Sequence, residues 1–373
     1  MKIGLVIHGP EIIDSGQAAL ILDFLSSGGE VNAILGGTMG KTAVIDASLE
    51  DSIDIRNKLK PSEAIEFLSK SCDAVYLMNH GKSFENGLTF GSMVTAKFDN
   101  LDRVPILQIE RPGLNDGRII CWNKGSHLHA NELSNELGLG VVSGLPKGRP
   151  VLVEDQGRFA IRKVSGVFRG ENILVNGIII GRAESEDVKI ILEDGFIRSI
   201  DGGSIKEHGV EKLHGYEKKI PVDIRSAWVK SGPLRRINYS PRMGDRRDKG
   251  GVPSVKAVLI DHNAEDCFEL ADGADVAVTV GDDTTAIAAD ILYRLAVPVI
   301  GITDGDLDGL HRNCIYPGSI ILRLVSGSDD IVGRSVCENL FSGEVHAVFD
   351  SKNSLTEKIL NISDDLIINI EKF

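Results

Sequence analysis

The sequence predicts an α/β protein: two doubly wound domains with a small antiparallel β domain between them. Three observations predict it. Apolar runs of strand length alternate with helically spaced apolar residues over 1–145, and again from Val255 onward. Between these stretches the pattern changes to short apolar runs separated by Asn-Gly and Asp-Gly pairs, the usual hairpin turns. Glycine is abundant (41 residues) while aromatics make up 5%, a balance that suits repeated strand-to-helix turns. At 373 residues the chain also exceeds what one ordinary core organises. The expected boundaries are 1–145, 146–215, a basic linker at 216–254, and 255–373.

In the first domain, Lys2–His8 reads as a strand. Ser15–Ser27 places Ala18, Ile21, Phe24 and Leu25 at helical spacing and stops at Gly28-Gly29. Glu30–Leu35 is a second strand, and Pro61–Lys70 a helix with proline in its first turn. Asp73–Met78, Val104–Ile109 and Arg118–Trp122 follow as strands, with Ala130–Leu137 as a closing helix. This rhythm implies a parallel sheet of Rossmann-like or flavodoxin-like winding. His127 and His129 are placed in a loop.

Six short strands are expected between Val151 and Ile200, with turns at Asp155-Gln156-Gly157, Asn176-Gly177, Glu193-Asp194-Gly195 and Asp201-Gly202-Gly203. The segment 216–253 then carries ten basic residues against four carboxylates. In the last domain Val255–Asp261, Asp275–Val280, Val297–Thr303 and Ile320–Val325 are strands. Ala264–Ala271, Thr284–Leu295 and Asp330–Phe341 are helices, and the last ~20 residues are expected to form a peripheral helix.

The net charge of −13 argues against non-specific attraction of the whole chain to nucleic acid or an anionic membrane. No run reaches the ~18 apolar residues of a membrane span, and MKIGLVIHGPE reads as a strand rather than a signal peptide. The five cysteines form no C-x-x-C pair and read as reduced thiols of a cytoplasmic protein.

The densest chemical signal is VTVGDDTTAIAADILYRLAVPVIGITDGDLDG, residues 278–309. A strand ends at Gly281 and a helix starts among Asp282, Asp283, Thr284 and Thr285. The free N–H groups of a helix start favour an anion such as phosphate, and Gly281 leaves room for it. The next strand ends in Asp304, Asp306 and Asp308. Open α/β sheets place ligands beyond such strand ends, and carboxylates held together call for a cation, by default Mg²⁺. The expected metal ligands are therefore Asp304, Asp306 and Asp308. Asp261 and Asp283 are candidate catalytic acids, with His262 as an acid or base beside them. Gly281, Thr284 and Thr285 would meet phosphate, with Arg235 and Arg236 as charge clamps.

Two families resemble this segment. Asp261 or Glu265 after the first strand, then DGDLDG after the third, resembles the Toprim domain, whose Asp-x-Asp holds Mg²⁺ in topoisomerases and primases. Asp304 and Asp306 match it, although a Glu-Gly pair is replaced by Asp261-His262. VGDDTT resembles the GGDGT motif of NAD kinase and diacylglycerol kinase, with Asp282 and Thr284 standing where that group has glycines. Over its full length the chain resembles a family of uncharacterised proteins of methanogenic archaea. The segments carrying that likeness are IHGPEIIDSG, GGTMGKTAVIDA, IKEHGVEKLHG and IDHNAEDCFELADGADVAVTVGDDTT.

Gly36–Thr42 approaches a P-loop but is one residue short, and offers Lys41 and backbone N–H groups to a phosphate. His8, His80, Glu110 and Arg111 mark the carboxyl ends of N-terminal strands and a second pocket there. Residues 225–249, with Trp228 and Tyr239, offer arginines to phosphates or to a nucleic-acid backbone. The favoured expectation is Mg²⁺-dependent binding or turnover of a phosphorylated small molecule or nucleotide, with no membrane partner. The rivals are a nucleic-acid-binding Toprim-like protein, and a scaffold or regulatory subunit whose acidic loops make subunit contacts, as in a homo-oligomer.

Overall fold

A computed structural model of the protein describes residues 1–98, 100–146, 153–215, 219–232, 235, 237–245, 254–305 and 314–373. The chain divides into two compact units, Met1–Tyr239 and Ser240–Phe373.

The first unit opens with a seven-stranded sheet. Its strands are β1 (Lys2–His8), β2 (Glu30–Gly36), β3 (Ile53–Asp54), β4 (Ala74–Asn79), β5 (Ile106–Glu110), β6 (Arg118–Cys121) and β7 (Gly140–Ser143), in the order β3-β2-β1-β4-β5-β6-β7. Helices α1 (Glu11–Asp14), α2 (Gln17–Gly28), α3 (Lys41–Asp46) and α6 (Ser126–Leu137) pack on one face through Ile12, Ile21, Leu25, Val44 and Leu133. Helices α4 (Pro61–Leu68) and α5 (Phe84–Thr95) cover the other through Ile65, Leu68 and Val94. The sheet is therefore mixed and covered on both faces. The expected all-parallel order fails at β6, which runs antiparallel to β5. Only residues 111–117 join them, too few for the crossover that a parallel neighbour needs. Helix α6 starts four residues before the expected Ala130, so His127 and His129 are helical, and Nδ1 of His129 lies 2.9 Å from the Tyr76 hydroxyl.

The antiparallel part is a sandwich of two four-stranded sheets. One is β13-β12-β9-β8, formed by β8 (Val153–Gln156), β9 (Phe159–Val164), β12 (Val188–Glu193) and β13 (Phe196–Asp201). The other is β14-β11-β10-β15, formed by β10 (Asn172–Val175), β11 (Ile178–Ala183), β14 (Gly203–Ile205) and β15 (Val229–Ser231). Helix α7 (Glu207–Leu213) follows β14. Alternate residues such as Ile173, Val175, Ile190 and Leu192 fill one shared core. Asn176-Gly177 and Asp194-Gly195 both take positive φ (49° and 84°; 51° and 84°), the tight hairpin turn that the sequence indicated.

The second unit contains a six-stranded sheet, β20-β16-β17-β18-β19-β21. Strands β16 (Val255–Asp261), β17 (Val276–Val280), β18 (Val299–Thr303) and β19 (Ile320–Leu324) are parallel and sit in chain order. Helices α8 (Cys267–Leu270) and α9 (Asp282–Arg294) cover one face, α10 (Asp329–Leu340) and α11 (Lys352–Ser363) the other. The edges are closed by antiparallel strands β20 (His346–Phe349) and β21 (Ile367–Lys372). The terminal segment is thus a helix followed by an edge strand, not the peripheral helix expected. No helix among the described residues is long and apolar enough to cross a membrane.

Candidate functional site

The four parallel strands of the second unit end on one edge, and each delivers polar residues to it. Strand β16 ends at Asp261. The next residue, His262, takes a left-handed backbone conformation (φ 51°), and its Nδ1 lies 2.6 Å from Oδ1 of Asp261. Strand β17 ends at Gly281 (φ 96°), over which the His262 ring lies. A Cβ there would stand 2.9 Å from Nε2 of His262, so the close approach requires glycine. Helix α9 begins at Asp282, whose Oδ1 accepts the N–H groups of Asp304 and Gly305 beyond β18, at 3.2 and 3.3 Å. Asp304 in turn accepts the N–H of Gly327, which follows β19. Helix α10 then begins with Asp329 and Asp330, and Oδ1 of Asp329 accepts the Asp330 N–H at 2.8 Å. Carboxylates thus brace all four strand ends.

His262, Asp329 and Asp330 each present a ligand atom within 4.8 Å of the other two. Nε2 of His262 is 3.5 Å from Oδ1 of Asp330. Burial pushes the Asp329 carboxyl up to about 6, and the charges of Asp304 and Asp330 add to the rise. Burial also raises Asp282, against the two N–H groups it accepts. The hydrogen bond with Asp261 raises His262, against partial burial of the ring. The edge therefore carries more negative charge than it can hold comfortably, with one imidazole among it. One nitrogen and several carboxylate oxygens are a donor set that suits a divalent cation.

The residues expected from the sequence are only partly gathered here. Asp261, Gly281 and Asp304 lie on this edge, with Asp283 exposed in the first turn of α9. Asp306, Asp308 and Arg236 lie outside the described residues, as does the side chain of Glu265. Thr284 and Thr285 are buried, and Oγ1 of Thr285 lies 2.8 Å from Oγ1 of Thr279 in the core, so that hydroxyl faces away from any phosphate at the helix start. Arg235 belongs to the first unit and is not a free clamp. Its Nε donates to Asp14 at 2.9 Å and its Nη1 to Asp46 at 2.7 Å. Tyr239 is covered by the same guanidinium, 3.5 Å from its ring centre. Arg225 pairs with Asp155. Acids distant in sequence thus offset part of the basic stretch. Lys41 is the first residue of α3 in the first unit and is buried.

Asp329 and Asp330 were missed by sequence reasoning. Their signal was present in Ser326-Gly327-Ser328-Asp329-Asp330, a second acidic pair opening a helix soon after a strand. Two acids at a helix start are also ordinary dipole chemistry, so the pair does not stand out by composition.

A family model described as an uncharacterized protein conserved in archaea (DUF2117) matches residues 5–344, a span that contains the whole candidate site. An uncharacterised protein of Methanocaldococcus jannaschii is 43% identical over 380 residues, covering 100% of this chain and 99% of that relative. Neither match extends the likeness to Toprim or NAD kinase-like domains.

Proposed function

Because the chain belongs to this archaeal family, whose description names no activity, its function has to be read from its own residues, and we propose that the acidic edge of the second unit binds a divalent cation and, through it, a phosphorylated small molecule or nucleotide. The supporting observation is the convergence of His262, Asp329 and Asp330 within 4.8 Å at the carboxyl ends of parallel strands. Asp329 holds a proton up to about 6 chiefly because it is buried, and the repulsion of the neighbouring Asp304 and Asp330 carboxylates adds to the rise. A cation in that position relieves the same repulsion. The oxygens alone suit Mg²⁺, and the imidazole nitrogen extends the set to Mn²⁺ and Zn²⁺.

The helix starts of α9 and α10 favour phosphate through their free N–H groups, but Asp282, Asp283, Asp329 and Asp330 in those first turns repel it. The cation therefore has to arrive first, and the anion follows it. When bound, the metal would spread the charge of phosphoryl oxygens. Asp261 would hold the His262 ring, and His262 would be a ligand or an acid. The finer fold assignment, Rossmann-like or flavodoxin-like for the first sheet and Toprim-like for the second unit, belongs to the same proposal. Within the described residues its Toprim part rests on Asp261 and Asp304. The four buried cysteines and the half-buried Cys337, all free thiols, fit a cytoplasmic setting.

Thermal-shift measurements on the full chain test this. Mg²⁺, Mn²⁺ or Zn²⁺ should raise Tm, by roughly 2.7 kcal/mol of added stability at a hundredfold excess over Kd. A nucleotide or sugar phosphate should add a further shift only when the cation is present. The Asp329→Asn/Asp330→Asn double variant should lose both shifts and keep its fold. An unchanged shift in that variant would remove the assignment, and a screen flat for every cation would favour the scaffold reading.

A further inference from the structure

The strand order of the seven-stranded sheet reverses at β1, which pairs in parallel with β2 on one side and β4 on the other. Loops leaving the carboxyl ends of such a pair diverge to opposite faces and leave a crevice, the usual ligand position in open α/β sheets. Three adjacent strands end there in His8, Asn79 and Glu110. Nδ1 of His8 lies 2.8 Å from Oδ1 of Asn79, and Nδ2 of Asn79 donates to Oε2 of Glu110 at 2.8 Å. Glu110 is fully buried and also accepts from Nε2 of Gln108 at 2.6 Å and from the Gly81 N–H at 2.7 Å.

This chain of bonds has one polarity. The carboxylate accepts, so Asn79 turns its NH₂ toward Glu110 and its oxygen toward His8. That oxygen needs a donor, so the hydrogen of the neutral ring sits on Nδ1 and the lone pair on Nε2. Nε2 has no hydrogen-bond partner among the described residues and is not one of the buried unsatisfied atoms. The ring is stacked on Phe90, centroids 4.1 Å apart. Behind it, Glu110 is wedged against α5: a Cβ on Gly87 would stand 2.0 Å from its Cδ. Burial lowers the proton affinity of His8 and keeps the ring neutral. The loops after β1 and β2 turn on Gly9 and Gly37, both at positive φ (82° and 91°). Of the charges acting on the ring, Glu11 favours a proton and Lys230 disfavours one. Charges of both signs thus act on the ring, and a neutral hydroxyl donor serves the Nε2 lone pair without adding another.

We infer that this crevice is a second ligand site, in which Nε2 of His8 accepts a hydrogen bond from a hydroxyl of a neutral sugar or polyol, with Asn79 and Glu110 as positioning residues. The site is independent of the acidic edge of the second unit.

Diethyl pyrocarbonate acylates accessible, unprotonated imidazole nitrogens, and peptide mass spectrometry on the full chain resolves each histidine. His214 is the internal reference, because its Nε2 accepts from the Ile197 N–H at 3.1 Å and its Nδ1 lies 2.8 Å from the Ile220 carbonyl oxygen. His8 should react at least an order of magnitude faster than His214. Ribose should slow His8 while leaving the exposed His346 unaffected, and ribose 5-phosphate should protect less than ribose. The Asn79→Leu variant should keep a reactive His8 and lose the protection. If that variant fails to fold, the wild-type rates still decide. A His8 as inert as His214, protection by neither sugar, or stronger protection by ribose 5-phosphate would each overturn the inference. The Asp329→Asn/Asp330→Asn variant should retain ribose protection in full, which separates this site from the acidic one.

Discussion

Nδ1 of His262 lies 2.6 Å from Oδ1 of Asp261, the residue before it, and the pair stands at the end of β16 within reach of Asp330. The contact holds a proton on the ring above its ordinary value of 6.5. The stability this contributes is complete below 6.5 and is lost as pH rises through the higher folded value. Asp329, Asp282 and Glu110 also hold protons more tightly folded than unfolded, chiefly through burial. Ionising them costs stability as pH rises, for Asp329 up to about 6. These four groups act in the same direction, and His8, kept neutral by burial, acts against them up to 6.5. With four groups against one, Tm in the presence of a chelator should fall from about pH 5 to about pH 8, most clearly above 6.5. Asp329→Asn should flatten the profile, and a saturating divalent cation should reverse its slope. Scanning fluorimetry across that window is the check, and a chelated wild-type Tm that climbs with pH would contradict the electrostatics described.

Arg235 sits between Asp14 and Asp46, with all three side chains at most 8% exposed. Removing the cation leaves two buried carboxylates facing each other. Arg235→Met should cost about 3–5 kcal/mol, the usual penalty for breaking a buried ion pair from one side. Adding Asp14→Asn should return part of that loss. Urea denaturation of the full chain measures both, and a loss well under 1 kcal/mol would mean that the carboxylates find solvent.

Thr279 and Thr285 share a hydrogen bond of 2.8 Å in the core of the second unit, and both are fully buried. Thr285→Val should strand the Thr279 hydroxyl and cost about 1–3 kcal/mol, whereas replacing both threonines by valine should recover most of it. Cation and phosphate affinities should not change in either variant. A selective loss of phosphate affinity would return Thr285 to the ligand site.

Much of this architecture was legible in the sequence, because strand and helix periods differ and the hairpin turns are spelled out at Asn176-Gly177 and Asp194-Gly195. Helix α5 was not. Gly87 and Gly91 interrupt its apolar pattern, and both are required by packing. A Cβ on Gly91 would lie 1.8 Å from Oε1 of Gln108, as one on Gly87 would collide with Glu110. The helix thus gives up local signal to accommodate a buried polar cluster 21 residues away. Charge was misread in a similar way. Counting acids near Arg225 and Arg235 finds few, because their partners Asp155, Asp14 and Asp46 are brought in by the fold. At the acidic edge, Asp304 and Asp261 were visible as strand-end residues. Asp329 and Asp330 were hidden by their resemblance to ordinary helix-start acids.

The separation of 221 residues between Asp14 and Arg235 has a consequence for how the protein is made. At about 5–20 residues per second, the ribosome delivers Arg235 roughly ten to forty seconds after Asp14. Throughout that interval the two carboxylates have no guanidinium between them, so α1 and α3 cannot settle into their final buried positions. The first sheet can collapse early, but its edge is completed only after the sandwich and the segment beyond β15 have been synthesised. A nascent chain stalled near residue 215 would therefore be a species for chaperones and proteases to recognise, although every strand of that sheet is already present.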